Sequence, residues 1–297
     1  LKVLFFGYSS MGASALEILA RRGDRVTAVV THRDDPGEER WFVTPAEKKE
    51  DLGLEAPLFF GEDLDRAELL DLLREDPPDL ILSVFYRSLL PAEVLAAARI
   101  AAVNLHPSLL PAYRGRSPVN WVLVRGERET GITLHHMTAR ADAGDIVAQR
   151  RVEIAPRETA LSLYRKLERE GTALLEETLP LLESGTAPRI PQDESRAFYV
   201  GGRRPSDGWI DWDRPVREID CLVRAVAPPW PGAFAEVDLG NGPRAVRILE
   251  GEPLEGDPPG PGTFRPAPGG GFLAAARDGW FRVIRWEGAE DPPERPG

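Results

Sequence analysis

The feature that most constrains this chain is the apolar run Val3-Leu4-Phe5-Phe6. It ends at Gly7 and gives way to helical spacing from Ala13 to Arg22, stopped by Gly23. A strand without polar alternation has to be covered on both faces, and a helix that follows it supplies one cover. The pattern repeats: an apolar run Val26 to Val30, a helix Leu64 to Arg74, a buried strand Leu80 to Phe85, a helix Ala92 to Ala98 and a strand Ala101 to Leu105. This alternation predicts a doubly wound α/β domain on a parallel sheet. Ligands in such sheets lie outside the carboxyl ends of the strands, which singles out the turn Phe85 to Leu90 and residue His106.

Farther on, Gly131 to Met137 and Ile146 to Ile154 read as strands flanking the loop Ala141-Asp142-Ala143-Gly144-Asp145. A long helix is expected from Thr159 to Glu183, with Gly171 and Pro180 as interruptions that bend or end it. Residues 189–208 read as a linker between an α/β domain, 1–188, and a small β domain, 209–297. In the latter, Trp209 to Trp212, Phe234 to Leu239, Val246 to Leu249, Phe272 to Ala276 and Phe281 to Trp286 read as short strands of an antiparallel barrel, and Glu287 to Gly297 as a frayed tail. A chain of 297 residues, 42% of them hydrophobic, suffices for two cores.

Chemistry concentrates in Asn104-Leu105-His106 and the downstream Asp142. Residues two apart on a strand project to one face, so Asn104 and His106 can converge on one pocket. An amine attacking an acyl group makes a tetrahedral oxyanion and must lose a proton. Asn supplies a fixed donor for that oxygen, His donates to it or shuttles the proton, and Asp orients the His or accepts the proton. Asp145 lies three residues on, and either carboxylate could reach the site. There is no G-x-S-x-G elbow, and the one cysteine, Cys221, sits in a Leu- and Val-rich stretch, so direct transfer from a bound donor is favoured over an acyl-enzyme. The four histidines, His32, His106, His135 and His136, form no Cys/His cluster at zinc spacing, and no metal is expected. His135 and His136 face opposite ways on their strand; at most one can approach the site, and both read as structural. Gly7 to Gly12 lacks a phosphate-loop spacing and reads first as a tight turn, with Ser9 and Ser10 as acceptor contacts. Arg114 and Arg116 are candidates to hold carboxylate or phosphate groups. The tryptophans, Trp121 and Trp209 among them, read as core or domain-contact residues.

Charge separates the possible partners. The chain carries a net charge of -11; from Pro191 to Gly297 there are 13 arginines and no lysine against 18 carboxylates, and the first 190 residues hold 24 basic against 30 acidic side chains. Nucleic acid needs a basic footprint, so neither half suits a tRNA partner, although a local patch around Arg203 and Arg204 is compatible with these totals. No apolar stretch reaches the roughly 18 to 20 residues of a membrane helix, VLFF follows no basic leader, and one cysteine allows no internal disulfide. The expected location is cytoplasmic.

The segments NLHPSLLPAYRGRSPVNWVLVRGERETGITLHHM, ADAGDIVAQ, LFFGYSSMG, SVFYRSLLP and GRRPSDGWIDWDRPVREIDCLVRAVAPPWPGAF together resemble the 10-formyltetrahydrofolate-dependent formyltransferases. Within that family, THRDDPGE, RGRSPVNWVLV, RADAGDIVAQ and RAVAPPWPGAF are most similar to the formyltransferase domain of the bifunctional polymyxin-resistance enzyme that formylates UDP-4-amino-4-deoxy-L-arabinose. The resemblance implies a Rossmann-like domain followed by an OB-like barrel, with Asn104, His106 and Asp142 as the catalytic set and Asp142 preferred over Asp145. It implies 10-formyltetrahydrofolate as donor, held near Ser88, Leu89, Leu90, Arg116 and the loop Thr138, Ala139, Arg140, Ala141 and Asp142, largely through backbone groups. It also implies a nucleotide-linked amino sugar as acceptor. The arabinose enzyme's second, dehydrogenase domain is not expected within these 297 residues. Methionyl-tRNA formylation and a non-catalytic folate-binding protein are the rival readings.

Overall fold

The structure is a computed structural model that describes residues 1–34 and 40–295. Part of the THRDDPGE segment, Asp35 to Glu39, and the last two residues of the chain lie outside the described residues. The chain divides into two compact units. The first comprises Leu1–Gly115, Glu129–Glu153 and Arg165–Val200; the second comprises Arg116–Arg128, Ile154–Tyr164 and Gly201–Gly297.

The elements follow in the order β1 (Lys2–Gly7), α1 (Ser9–Arg22), β2 (Arg25–Thr31), α2 (Pro45–Asp51), β3 (Leu58–Phe60), α3 (Arg66–Glu75), β4 (Leu80–Val84), α4 (Ala92–Leu95), β5 (Ala101–His106), β6 (Arg114–Gly115), α5 (Pro118–Val124), β7 (Glu129–His136), β8 (Ile146–Glu153) and α6 (Ala160–Glu183). Then come β9 (Tyr199–Val200), α7 (Val216–Ala225), β10 (Ala233–Val237), β11 (Arg244–Leu254), β12 (Phe264–Pro266), β13 (Phe272–Ala275) and β14 (Trp280–Gly288).

The first unit is built on a seven-stranded sheet of order β3-β2-β1-β4-β5-β7-β8. Strands β1 to β5 are mutually parallel, as the alternation of apolar runs and helices predicts. The last two are not: β7 runs antiparallel to β5, and β8 turns back antiparallel to β7. The loop between β7 and β8 is too short for a parallel crossover, so the sheet ends in a hairpin. Val3, Leu4, Phe5 and Phe6 are all 1% exposed or less, which is why β1 carries no polar alternation. One face packs Leu4, Phe6, Val30 and Ile81 against Leu69 and Leu73 of α3 and Val94 of α4. Helix α1 stops where expected, because Gly23 takes the left-handed conformation and its amide closes onto the Ala20 carbonyl.

Two expectations for helices change. Helix α4 ends at Leu95 rather than Ala98. Helix α6 runs unbroken through both Gly171 and Pro180. Gly171 is a packing notch: a Cβ there would stand 2.6 Å from Ile132 Cδ1 and 3.1 Å from Leu105 Cδ2, so the missing side chain lets the helix lie close on β5 and β7. Pro180 forgoes the bond its amide would give the Glu176 carbonyl, and only three residues of the helix follow it.

The second unit holds a five-stranded, all-antiparallel sheet of order β10-β11-β14-β13-β12. Trp209 to Trp212 is not a strand; it contributes one isolated bridge, Trp209 to Phe234, and the rest continues as loop. Helix α7, unanticipated by the strand reading, lays Ile219 and Val223 on the sheet beside Val246, Ile248, Phe272 and Phe281. The expected frayed tail is docked: Trp209 Nε1 donates to the Pro293 carbonyl at 2.8 Å, and the Arg295 guanidinium stacks 4.6 Å from the Trp209 ring centre. Phe281 is fully buried, and a Cβ on Gly251 would collide with its ring. Phe281→Ala should therefore destabilise the protein by about 3–5 kcal/mol, the usual cost of emptying a packed aromatic site, read as a lowered urea midpoint by tryptophan fluorescence.

Candidate active site

Strand β5 delivers Asn104 half-buried and His106 4% exposed at its carboxyl end. Its antiparallel neighbour β7 sets His135 directly opposite Asn104. The loop after β7 then returns Asp142 to the same place, with its side chain 13% exposed. His106 Nδ1 lies 3.6 Å from Asp142 Oδ1, and Asn104 Nδ2 lies 3.4 Å from that oxygen. Asp145 is held elsewhere, with Arg189 Nε 3.6 Å from its Oδ2. The geometry thus gathers Asn104, His106 and Asp142 and leaves Asp145 apart.

Hydrogen-bond partners fix the tautomers. His106 Nε2 faces the Tyr113 carbonyl at 2.9 Å, and a carbonyl only accepts, so Nε2 carries the proton. The Nδ1 lone pair is left facing Asp142 and open to accept a proton. Burial pushes the His106 imidazole below its ordinary value, and the pull of Asp142 and the Tyr113 carbonyl does not restore it. Burial alone would raise the Asp142 carboxyl, yet His106, His135 and the Gly115 amide hold it well below the usual carboxylate range. The pair is therefore a neutral imidazole beside an ionised carboxylate, ready to stabilise the imidazolium that proton uptake creates.

Sequence reading missed His135. Its Nδ1 faces the His136 carbonyl at 2.8 Å and so carries a proton, and its Nε2 lies 3.2 Å from Asn104 Nδ2 and 3.4 Å from Asp142 Oδ1. Asp142 orients the Asn104 amide: a flip would turn its oxygen toward the carboxylate. Alternation correctly allowed only one of the two histidines into the site, but the cross-strand register that selects His135 needs the pairing of β5 with β7.

The loop that carries the Tyr113 carbonyl is braced by polar side chains. Thr133 Oγ1 donates to the Ser108 carbonyl at 2.7 Å and accepts from the Leu110 amide at 3.2 Å. Gln149 Nε2 reaches the Leu110 carbonyl at 2.8 Å, and Ser108 Oγ the Ala112 carbonyl at 2.8 Å. Gly115 then donates its amide to Asp142 Oδ2 at 2.8 Å. It does so at φ +100°, where a Cβ would strike the Val200 carbonyl, so only glycine fits.

The other candidates are placed as follows. Arg114 is fully buried, its guanidinium bound to Gln192 Oε1 at 2.7 Å and to Glu194 Oε1 at 2.7 Å. It is a brace, not a free hand for an acceptor. Ser9 is 4% exposed at the start of α1, with Ser10 half-buried beside it. Ser88 and Leu89 are exposed and Leu90 packs partly on the core, while Thr138, Ala139 and Arg140 form an exposed loop and Ala141 is half-buried. Arg116 is exposed and belongs to the second unit. Among the described residues no group of three His, Cys, Asp or Glu could hold a metal, and Cys221 is buried.

A family of formyl transferases matches residues 1–179, and its C-terminal domain matches residues 203–292. The chain belongs to the formyl transferase family. Among solved structures, this formyltransferase is similar to an N-formyltransferase from Helicobacter canadensis in complex with folinic acid and dTDP-3-aminofucose, at 17% identity and TM-score 0.71, over 97% of this chain and 100% of the other. A 4-N formyltransferase from Francisella tularensis is 21% identical at TM-score 0.64, over 84% and 98% of the two chains. HypX from Aquifex aeolicus, in complex with tetrahydrofolic acid, is 21% identical at TM-score 0.67; 97% of this formyltransferase aligns with 44% of HypX.

Two outcomes follow from this geometry. Because the folded-state pKa of His106 lies below the ordinary 6.5 and that of Asp142 below 3.8, the unfolded chain binds more protons beneath each of those values. Stability should be full above pH 6.5, decline below it and decline further below pH 3.8, as denaturant midpoints across pH would show. Gly115→Ala should cut formyl-transfer kcat at least tenfold in a chain that still folds; wild-type kcat would mean that the amide contact to Asp142 is dispensable.

Proposed function

We propose that this formyltransferase moves a formyl group from 10-formyltetrahydrofolate to the primary amine of a nucleotide-linked amino sugar, with UDP-4-amino-4-deoxy-L-arabinose as the expected acceptor. The observation that carries the reading is the buried trio itself: an amide donor, a neutral imidazole and an ionised carboxylate at the carboxyl end of β5, with no nucleophile among them. Support for a sugar acceptor comes from the likeness to sugar N-formyltransferases, two of them solved with dTDP or a dTDP-linked amino sugar. An acidic chain also suits a small acceptor better than tRNA.

The residues present fit a formyl donor. The exposed turn Ser88 to Leu90 and loop Thr138 to Ala141 follow β4 and β7, close in sequence to the trio, and offer backbone groups for its ring system. When bound, the donor supplies the formyl group and the nitrogen from which that group departs. Asn104 Nδ2 can swing one proton from its 3.4 Å contact with Asp142 to the oxygen on which negative charge develops. As the amine nitrogen bonds to the formyl carbon, His106 Nδ1 takes its proton. Asp142 stabilises the resulting imidazolium, which returns the proton to the departing nitrogen as the carbon–nitrogen bond to the donor breaks.

The test is mass spectrometry of the purified chain with 10-formyltetrahydrofolate and, separately, UDP- and dTDP-amino sugars and methionyl-tRNA. A formylated sugar nucleotide is the expected product, and formyl-methionyl-tRNA alone would overturn the acceptor class. His106→Ala and Asn104→Ala should each lower kcat by about a hundredfold or more; near-wild-type turnover in either would sink the mechanism.

A further inference from the structure

One buried histidine takes no part in the proposed transfer. His32 directly follows β2 and is 7% exposed. Among the described residues its polar and ring contacts are with Glu62, the Arg87 amide, Tyr8 and Tyr86, not with Asn104, His106 or Asp142. The Arg87 main-chain N–H donates to His32 Nε2 at 3.0 Å. A main-chain amide can only donate, so Nε2 presents its lone pair and the ring proton is on Nδ1. Nδ1 gives that proton to Glu62 Oε1, 2.6 Å away. A carboxylate thus fixes the imidazole, and the imidazole fixes an amide.

The topology gives this contact its reach. In the sheet order β3-β2-β1-β4, Glu62 lies just past β3, His32 past β2, Tyr8 past β1 and Arg87 in the turn that follows β4. Strands β2 and β4 are not neighbours, so His32 spans the end of β1 between them, with Tyr8 edge-on to its ring at 5.8 Å. Successive strands are added on one side of β1 as far as β3 and on the other side from β4 onward. The crevice outside the carboxyl ends of β1 and β4 is therefore where a doubly wound sheet takes its ligand.

The turn after β4 needs holding. Phe85 opens it at φ +60°, a left-handed conformation that a bulky residue keeps only under constraint. Tyr86 stacks on His32 with ring centres 4.3 Å apart and planes 20° from parallel, and it meets Phe6 edge-on at 5.2 Å. Gly61 makes room for this ring, because a Cβ there would collide with the Tyr86 hydroxyl. His32 grips the turn twice, at Tyr86 by the face of its ring and at Arg87 by its lone pair, just before the exposed Ser88 and Leu89.

We infer that His32, oriented by Glu62, is a positioning residue for the formyl donor: it fixes the turn Phe85 to Leu90 so that main-chain groups there are set to meet the donor's ring system. This rests on the donor placement in the proposed function. The role belongs to binding and not to the chemical step, because a turn held before the donor arrives favours ground state and transition state alike. What the side chain must supply is an acceptor at the position of Nε2.

Three variants of the full chain separate this role from packing. His32→Phe keeps a flat ring against Tyr86 and removes the acceptor, His32→Gln brings an amide oxygen to the Nε2 position, and Glu62→Ala leaves the imidazole but frees its tautomer. Calorimetric titration with tetrahydrofolate should show a Kd raised about tenfold in His32→Phe, about threefold in Glu62→Ala and restored to near the wild-type value in His32→Gln. Turnover of the acceptor that the wild type formylates, at saturating 10-formyltetrahydrofolate, should fall less than about threefold in each. Wild-type tetrahydrofolate affinity in a folded His32→Phe would overturn the inference, as would a loss of kcat at unchanged affinity. A His32→Gln as weak as His32→Phe would overturn it too, because the lone pair would then not be what the turn requires. If neither His32 variant folds, Glu62→Ala decides, and unchanged affinity there overturns the role. A wild type that binds no tetrahydrofolate removes the proposed donor and this role with it, whereas equal binding by wild type and His32→Phe removes this role alone.

Discussion

The candidate site depends on keeping one carboxylate ionised and still in a place where water barely reaches it. Asp142 sits at φ +53°, a left-handed conformation that a non-glycine residue holds only when its surroundings insist. Those surroundings are a chain of polar contacts. The Gly115 amide holds Oδ2; Gln192 Nε2 holds the main-chain carbonyls of Asp142 and Gly144 at 2.8 and 2.7 Å; and Arg114 holds Gln192 while Glu194 neutralises Arg114. Each link satisfies a group that would be costly to bury alone. Arg114 therefore acts on Asp142 through Gln192, two contacts away.

The two histidines beside Asp142 are held by different main-chain carbonyls. His106 is locked by the Tyr113 carbonyl so that its basic nitrogen points toward the carboxylate, an arrangement that gains energy only once a proton arrives. In the proposed mechanism the pair stabilises the charged state passed through during transfer rather than the resting enzyme. His135 is held by the His136 carbonyl through Nδ1, which sets its Nε2 3.2 Å from Asn104 Nδ2 and 3.4 Å from Asp142 Oδ1. The loop from Pro107 to Tyr113 serves the first lock, and the β5–β7 register serves the second.

Much of this was legible in the sequence, and the parts that were not share a cause. The buried strands β1, β4 and β5 show as uninterrupted apolar runs, and the two-residue spacing of Asn104 and His106 gives their common face. Local pattern does not carry register between distant segments. His135 became part of the site because β7 pairs with β5, and Arg114 became a brace because Gln192 and Glu194, some 80 residues on, meet it. Gly171 and Pro180 were read as breaks because propensity weighs each residue singly, whereas in α6 the glycine is an opening for Ile132 and Leu105. Helix α7 escaped because a short amphipathic segment ahead of several strands offers the same apolar residues that a strand would.

Net charge shows the same limit from the other side. A total of -11 argues well against a broad polyanion-binding face, since that needs many cations arrayed together. It says nothing about how charges are distributed locally. Around Trp121 the arginine side chains meet an aromatic ring and main-chain carbonyls, groups that can shape a guanidinium's surroundings without cancelling its charge. Such local arrangements are compatible with an acidic surface everywhere else, because screening confines the influence of an exposed charge to roughly 10 Å.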